Sequence, residues 1–96
     1  MTFEWDESKN EINREKHGLD FDAVFTFDWE TALIADRTRR GDGEQRYAAL
    51  ALYAGKIHTV VFTKRSLNVR IISLRRSNRG EERAYESVKG KDETES

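Results

Sequence analysis

Residues 44–79 read EQRYAALALYAGKIHTVVFTKRSLNVRIISLRRSNR, and this stretch decides the fold. Its first run, 44–53, alternates with a period of two. Ala48, Leu50 and Leu52 fall on one face; Tyr47, Ala49, Ala51 and Tyr53 fall on the other. Ala54-Gly55-Lys56 makes a tight hairpin into a β-branched strand at 57–64, and Ser66-Leu67-Asn68 closes a second hairpin into a strand at 69–74. Hairpins this short make the strands antiparallel. Tyrosines interleaved with alanines predict a shallow, half-solvated surface on their side of the sheet.

Working outward, residues 31–35 (TALIA) supply one more strand, and 37–43 (RTRRGDG) a loop with Gly41-Asp42-Gly43 at its tip. Upstream, Asp6 is a helix cap, residues 7–17 are polar helix formers and Gly18 is a stop. Ile12, flanked by Trp5 and Leu19, is the expected buried anchor of that helix. Asp20 caps a second, short helix whose stripe is Phe21, Val24 and Phe25. Downstream, Ser77 or Asn78 caps a closing helix over 79–88, and the polar residues 89–96 form a flexible tail. The expected class is α+β: a four-stranded antiparallel sheet with two N-terminal helices and one C-terminal helix, packed on one face, in a single domain over 1–88.

Apolar residues and charged residues are each 36% of the 96-residue chain, so a thin core lies under a heavily charged surface. The net charge of -1 hides an asymmetry. Residues 1–30 hold nine acids and three bases, net -6; residues 64–83 hold seven bases and two acids, net +5. That separation points to a basic working face, although the two segments neutralising each other within the fold accounts for it as well. The absence of cysteine excludes disulfides and thiolate metal sites. No apolar run is long enough for a bilayer, and the acidic N-terminus lacks a signal-peptide pattern. The expectation is a cytoplasmic protein with no membrane partner.

No glycine-rich phosphate loop, HExxH helix or nucleophile elbow occurs, and His17 and His58 are not spaced as a metal pair. Neither a metal nor another cofactor is expected. The available chemistry is that of arginine, lysine and histidine. Arg70, Arg75 and Arg76 match phosphate by their planar forks, while Lys16-His17 places a cation beside a titratable imidazole. Tyr47, Tyr53, Tyr85 and Trp5 are of a type that stacks on bases. Such a set suffices for metal-free RNA cleavage, in which the substrate's own 2′-OH is the nucleophile. Plainer readings stay open: His17 as a dipole cap, His58 as a core histidine, Arg70 paired with Glu44, Arg75 and Arg76 as a solvated charge run, Tyr85 as packing.

Several segments taken together carry a resemblance. Phe3-Glu4-Trp5-Asp6 is followed by Lys9, Asn13, Lys16-His17-Gly18, Phe21 and Ala23-Val24-Phe25. Later come Glu44-x-Arg46, Thr63-Lys64-Arg65, Val69 through Arg76, and Glu81 with Tyr85-Glu86. The chain resembles the BrnT family, the toxin half of BrnT/BrnA type II toxin–antitoxin pairs, over residues 3–86. The resemblance implies a RelE-like fold and metal-independent mRNA cleavage that halts translation and growth. It implies a small DNA-binding antitoxin, BrnA-like, that blocks the toxin, the complex reaching operator DNA through that partner. Within the matching motifs, Lys16, His17, Arg70 and Arg75 are the candidate catalytic residues, and Arg46, Arg76, Arg79 and Tyr85 the candidate RNA contacts. The family often has alanine where Leu74 and Ser77 stand, and a basic residue near Gly80 and Glu82, so weaker RNA binding is expected here. Two alternatives have no catalysis: a nucleic-acid-binding module, or a degenerate toxin serving as co-repressor with its antitoxin.

Overall fold

The computed structural model describes residues 2–39, 41 and 43–95, with side chains as far as residue 89. Met1, Arg40, Asp42 and Ser96, with the side chains of the polar tail beyond Lys89, lie outside the described part. The elements are β1 (Thr2–Glu4), α1 (Glu7–His17), a 3₁₀ helix (Phe21–Thr26), β2 (Leu33–Asp36), β3 (Arg46–Tyr53), β4 (Lys56–Arg65), β5 (Asn68–Arg76) and α2 (Arg79–Glu95). They form a mixed α+β domain around one sheet of order β1-β5-β4-β3-β2.

Both hairpins fall where the sequence puts them. Ala54 and Gly55 take φ of 52° and 77°, the paired positive values of a two-residue turn that matches strand twist. The sheet nonetheless has five strands rather than four. Thr2, Phe3 and Glu4 pair in parallel with Asn68, Val69 and Arg70. Three residues are too few to show a period, so the sequence hides β1. The second helix is a 3₁₀ helix of six residues, and its pitch decides what is buried. At three residues per turn Phe21 and Val24 eclipse one another and are fully buried, while Phe25 rotates outward and is 64% exposed. The closing helix continues to Glu95, past the expected end at Val88.

The first helix begins and ends as expected but is anchored differently. Asp6 accepts from the Ser8 N–H at 2.9 Å, and the Gly18 N–H donates to the Arg14 carbonyl at 2.8 Å with Gly18 at φ 68°. Ile12 is 57% exposed; the buried residues of α1 are Asn10 and Asn13. The cause lies in β5. Its pairing with β1 stops at Arg70, which leaves the backbone edge beyond without a strand. Asn13 fills that place: its Nδ2 donates to the Leu74 carbonyl at 2.9 Å, and its Oδ1 accepts from the Leu74 N–H at 3.1 Å. Asn10 accepts from the Phe21 N–H at 2.9 Å and so fixes the start of the 3₁₀ helix. Buried backbone groups must be satisfied, and two asparagine side chains satisfy these.

The tyrosine–alanine face of β3 is core rather than half-solvated. Ala49 and Ala51 are fully buried; their small side chains leave room for aromatic rings from both sides. Tyr53 stacks on Phe27 with centroids 5.2 Å apart, and Tyr47 stacks on Phe62 at 5.5 Å. Val60, Val69, Ile71, Leu74 and the 3₁₀ helix complete this layer. A bulge opposite Val61–Phe62 shifts the phase of β5, so that Ile71 and Leu74, three apart, both point into it. The helices are not confined to that face. On the other side, α2 packs Tyr85 against Leu50 and Ile57, with Leu33 beside them. No helix among the described residues is long and apolar enough to cross a membrane.

Candidate functional site

Strand register sorts the second face of the sheet into rows. Arg46, Thr63, Arg70 and Glu4 stand side by side on β3, β4, β5 and β1. Arg37 extends that row, its N–H donating to the Arg46 carbonyl at 2.7 Å. Ala35, Ala48, Val61 and Ser73 form the next row; Leu33, Leu50, Thr59 and Arg75 form the third. Through Tyr85, α2 covers Leu33 and Leu50 in the third row. Over the first two rows, where Thr63 is buried, lies a trough with a floor of small residues and arginines along its rim. One part, of about 580 Å³, is bordered by Arg37, Arg46, Val61, Ile72 and Ser73. The adjoining part, of about 390 Å³, is bordered by Arg37, Ala48, Val61, Arg75 and Glu81.

Helix α1 forms the far wall. Lys9, Ile12, Asn13, Lys16 and His17 line a recess with Ile72 and Ser73. Those last two residues also border the trough, so recess and trough are continuous. The bulge leaves Ile72 without a register partner, and bulges re-aim side chains in this way. The C-terminal turn of α1 and the open face of β5 therefore share one concave surface. Lys16 and His17 are exposed there, in a turn whose dipole favours cations.

Arg75 is held rigidly. Its guanidinium donates to Glu81 through both forks, Nη1 to Oε1 at 2.7 Å and Nη2 to Oε2 at 3.0 Å. Glu81 is itself half of a capping box: Oε1 accepts from the Asn78 N–H at 2.9 Å, and the Glu81 N–H donates to Asn78 Oδ1 at 2.9 Å. The mutual hydrogen bond raises the Arg75 pKa and holds the Glu81 carboxyl below its ordinary range. Behind them, Thr59 and Ser77 share a buried hydroxyl–hydroxyl bond of 2.7 Å. Both ion-pair partners are partly buried, with side-chain exposures of 35% for Arg75 and 17% for Glu81.

The remaining candidates separate. Arg46 borders the trough, and it and Arg37 have no anionic partner among the described residues. Arg70 is half-buried and its ion pair is with Glu4, at 3.5 Å; Glu44, the expected partner, pairs with Arg65 at 3.4 Å. Arg76 stands opposite His58, in register with the core face, and Arg79 is the exposed first residue of α2; neither borders the trough. Tyr85 is buried and its hydroxyl donates to Thr31 at 3.3 Å, so its ring is packing and offers no face to a base. Tyr47, Tyr53 and Trp5 are likewise committed to ring contacts on the core side. His58 is a core histidine, with Nδ1 2.9 Å from the Lys56 carbonyl. Among the described residues, no three His, Asp or Glu side chains converge as a metal-ligand set.

Among the members of the surface that sequence reasoning misses are Arg37, Arg39, Ser73 and Glu81. Only Glu81 leaves a local signal, since Asn78 followed three residues later by glutamate is a capping-box pattern. Arg37 and Ser73 belong to the site by cross-strand register alone.

The family model described as ribonuclease toxin, BrnT, of type II toxin-antitoxin system matches residues 5–81. A search of curated proteins finds no match. The matched span opens at Trp5, at the head of α1, and closes at Glu81, the partner of Arg75, so it contains both walls of the trough and the floor between them. A basic trough on a small α+β domain and a family match over most of the chain agree: this chain belongs to the BrnT family, the ribonuclease toxins of type II toxin–antitoxin systems, whose substrate is RNA and whose partner is an antitoxin.

Proposed function

We propose that the trough is the nuclease site and that it cleaves RNA by attack of the substrate's 2′-OH, without a metal. The observation that carries this reading is the continuity of the concave surface from Lys16-His17, across Ile72 and Ser73, to Arg75. The 2′-oxygen attacks the adjacent phosphorus and gives its proton to the Lys16–His17 pair. Charge gathers on the non-bridging oxygens and is met by the Arg75 fork, already oriented by Glu81. The bond to the 5′-oxygen breaks and that oxygen takes up a proton, leaving a 2′,3′-cyclic phosphate and a free 5′-hydroxyl. Arg70, in a different row from Arg75 and paired with Glu4, serves the backbone of the bound strand rather than the reacting phosphate. In the cytoplasm the antitoxin neutralises the protein by covering this basic face with acidic groups, since arginines buried there unpaired would be strongly destabilising. The antitoxin also binds DNA, and the complex represses its own operon.

One observation favours a second reading, that of a binding module or co-repressor with no catalysis: Arg75 is already charge-satisfied by Glu81. One assay separates the two. The nuclease reading expects purified protein in EDTA to cleave RNA and leave cyclic 2′,3′- or 3′-phosphate ends, and a Lys16→Ala/His17→Ala double variant to lose that cleavage. A folded protein that binds RNA and leaves it intact in every buffer establishes the second reading instead.

A further inference from the structure

We propose that the Arg37–Arg46 end of the trough is a separate anchoring subsite for a backbone phosphate of single-stranded RNA, distinct from the phosphate that reacts. The inference rests on the nuclease reading and divides its binding surface into two stations. Arg37 and Arg46 have no anionic partner among the described residues. Their backbones are tied together: the Arg37 N–H donates to the Arg46 carbonyl at 2.7 Å, and the Arg46 N–H donates to Thr38 Oγ1 at 3.0 Å. Two guanidinium stems thus leave from adjacent points at the same edge. Among the described residues, the acids adjoining them in sequence and register are engaged elsewhere. Asp36 stands opposite Tyr47 and accepts from the Thr38 N–H at 2.8 Å, and Glu44 pairs with Arg65.

A second observation marks the same row. Thr63, between Arg46 and Arg70, is fully buried, and its Oγ1 is a buried side-chain atom with no hydrogen-bond partner. Buried polar groups are nearly always satisfied by protein, water or ligand. The hydroxyl is sealed from solvent and borders neither part of the trough, so it marks a polar layer beneath the arginines rather than a ligand contact.

The spacing requires two phosphates. Arg46 and the row of Arg75 are four residues apart along the strands, about 13 Å, and two strands apart across the sheet, about 10 Å. A single phosphate cannot touch both. Ala48, Val61 and Ser73 floor the space between and offer no aromatic ring for a base, so the contact is to backbone charge and is tolerant of sequence. An extended RNA strand with one phosphate at Arg75 lies along this floor and reaches Arg46 with another, and Arg37, whose backbone adjoins Arg46 and which borders both parts of the trough, flanks the path between them.

The test compares the full chain with the Arg37→Ala/Arg46→Ala double variant, both checked for folding by circular dichroism. Steady-state cleavage is measured on a dodecanucleotide and on a dinucleotide, and binding of an uncleavable 2′-O-methyl dodecanucleotide is followed across a salt series. In the variant, KM for the dodecanucleotide is expected to rise about tenfold while kcat changes by less than about threefold. The dinucleotide, too short to span both stations, is expected to be cleaved alike by both proteins. The slope of log Kd against log salt should become shallower by about 0.7, the contribution of one single-strand phosphate contact. An unchanged KM and salt slope overturn the inference. So does a variant that loses binding to polyglutamate while its RNA salt slope stays intact, which assigns the arginines to an acidic protein. If the native protein cleaves neither substrate, the nuclease reading has failed, and the salt slope alone still decides the subsite.

Discussion

The two ends of the trough hold arginines in opposite ways. At one end Arg75 is clamped by both oxygens of Glu81, Glu81 is fixed in a capping box with Asn78, and the neighbouring Leu74 backbone is held by Asn13. At the other end Arg37 and Arg46 reach outward from a strand edge and its loop, and no carboxylate among the described residues holds them. The difference separates two jobs that arginine does with phosphate. A clamped fork keeps its geometry while charge develops on a reacting group, and preorganisation of that kind is where electrostatic catalysis gains most. A free fork adapts to a flexible backbone and contributes affinity that salt screens. The comparison also gives the charged pair beside the proposed cleft a role: Glu81 aims Arg75 as much as it neutralises it.

The largest expected effect comes from removing the clamped arginine. Arg75→Ala should lower kcat for RNA cleavage by about 10²–10³-fold, the usual loss when one preorganised donor to a developing oxyanion is deleted. Binding of an uncleavable RNA should fall far less. Rapid-quench cleavage beside fluorescence anisotropy checks both. Equal losses in rate and in binding would mean that Arg75 is only another backbone contact, and the contrast between the two ends would collapse.

The same contrast marks what the sequence discloses. The hairpins, the strand order within 46–76 and the capping of α1 are local, and period, turn residues and cap residues report them directly. The edge strand β1, the burial of Asn10 and Asn13 and the packing of α2 on the second face depend on partners far along the chain. Polar side chains that replace a missing strand have no pattern in one sequence. The tyrosine–alanine run was open to misreading for a related reason. Small residues signal a shallow surface or a socket for rings, and only Phe27 and Phe62, arriving from elsewhere, select the socket. At the site, Lys16, His17, Arg46 and Arg75 are candidates by residue type. Register sets Arg76 opposite His58, away from the trough, and places Arg37 and Ser73 beside the candidates.

Asn13 tests the rigid end by its foundation. Asn13→Ala leaves the buried Leu74 N–H and carbonyl without their side-chain partner, and each unsatisfied buried group costs about 1–3 kcal/mol. A loss of about 2–4 kcal/mol in unfolding free energy is expected from urea titration. Because Leu74 adjoins Arg75, cleavage by the folded fraction should fall as well, while the salt dependence of RNA binding, set at the free end, should stay as it is. A shift in the salt slope of Asn13→Ala would show that the two ends are not mechanically separate.

The smallest effect lies one layer further back. Asp20 accepts from the Asp22 N–H at 3.0 Å, from Arg14 at 2.6 Å and from Asn10 at 3.1 Å, and so braces the asparagine that starts the 3₁₀ helix. The Asp22 N–H, then Arg14, lower its carboxyl from 3.8 to about 2. A group with a depressed folded pKa contributes stability above its unfolded value and loses it as pH falls through the folded one. The native protein should therefore lose stability between pH 3.8 and about 2 through this carboxylate. Asp20→Asn keeps a helix-capping acceptor for Asp22 but cannot titrate, so its unfolding free energy should vary less steeply with pH in that window. Arg14 is 42% exposed, so added salt should shrink the difference between the two proteins at neutral pH. Parallel acid limbs for both proteins would remove Asp20 from the support of α1 and leave Asn10 and Asn13 as its anchors.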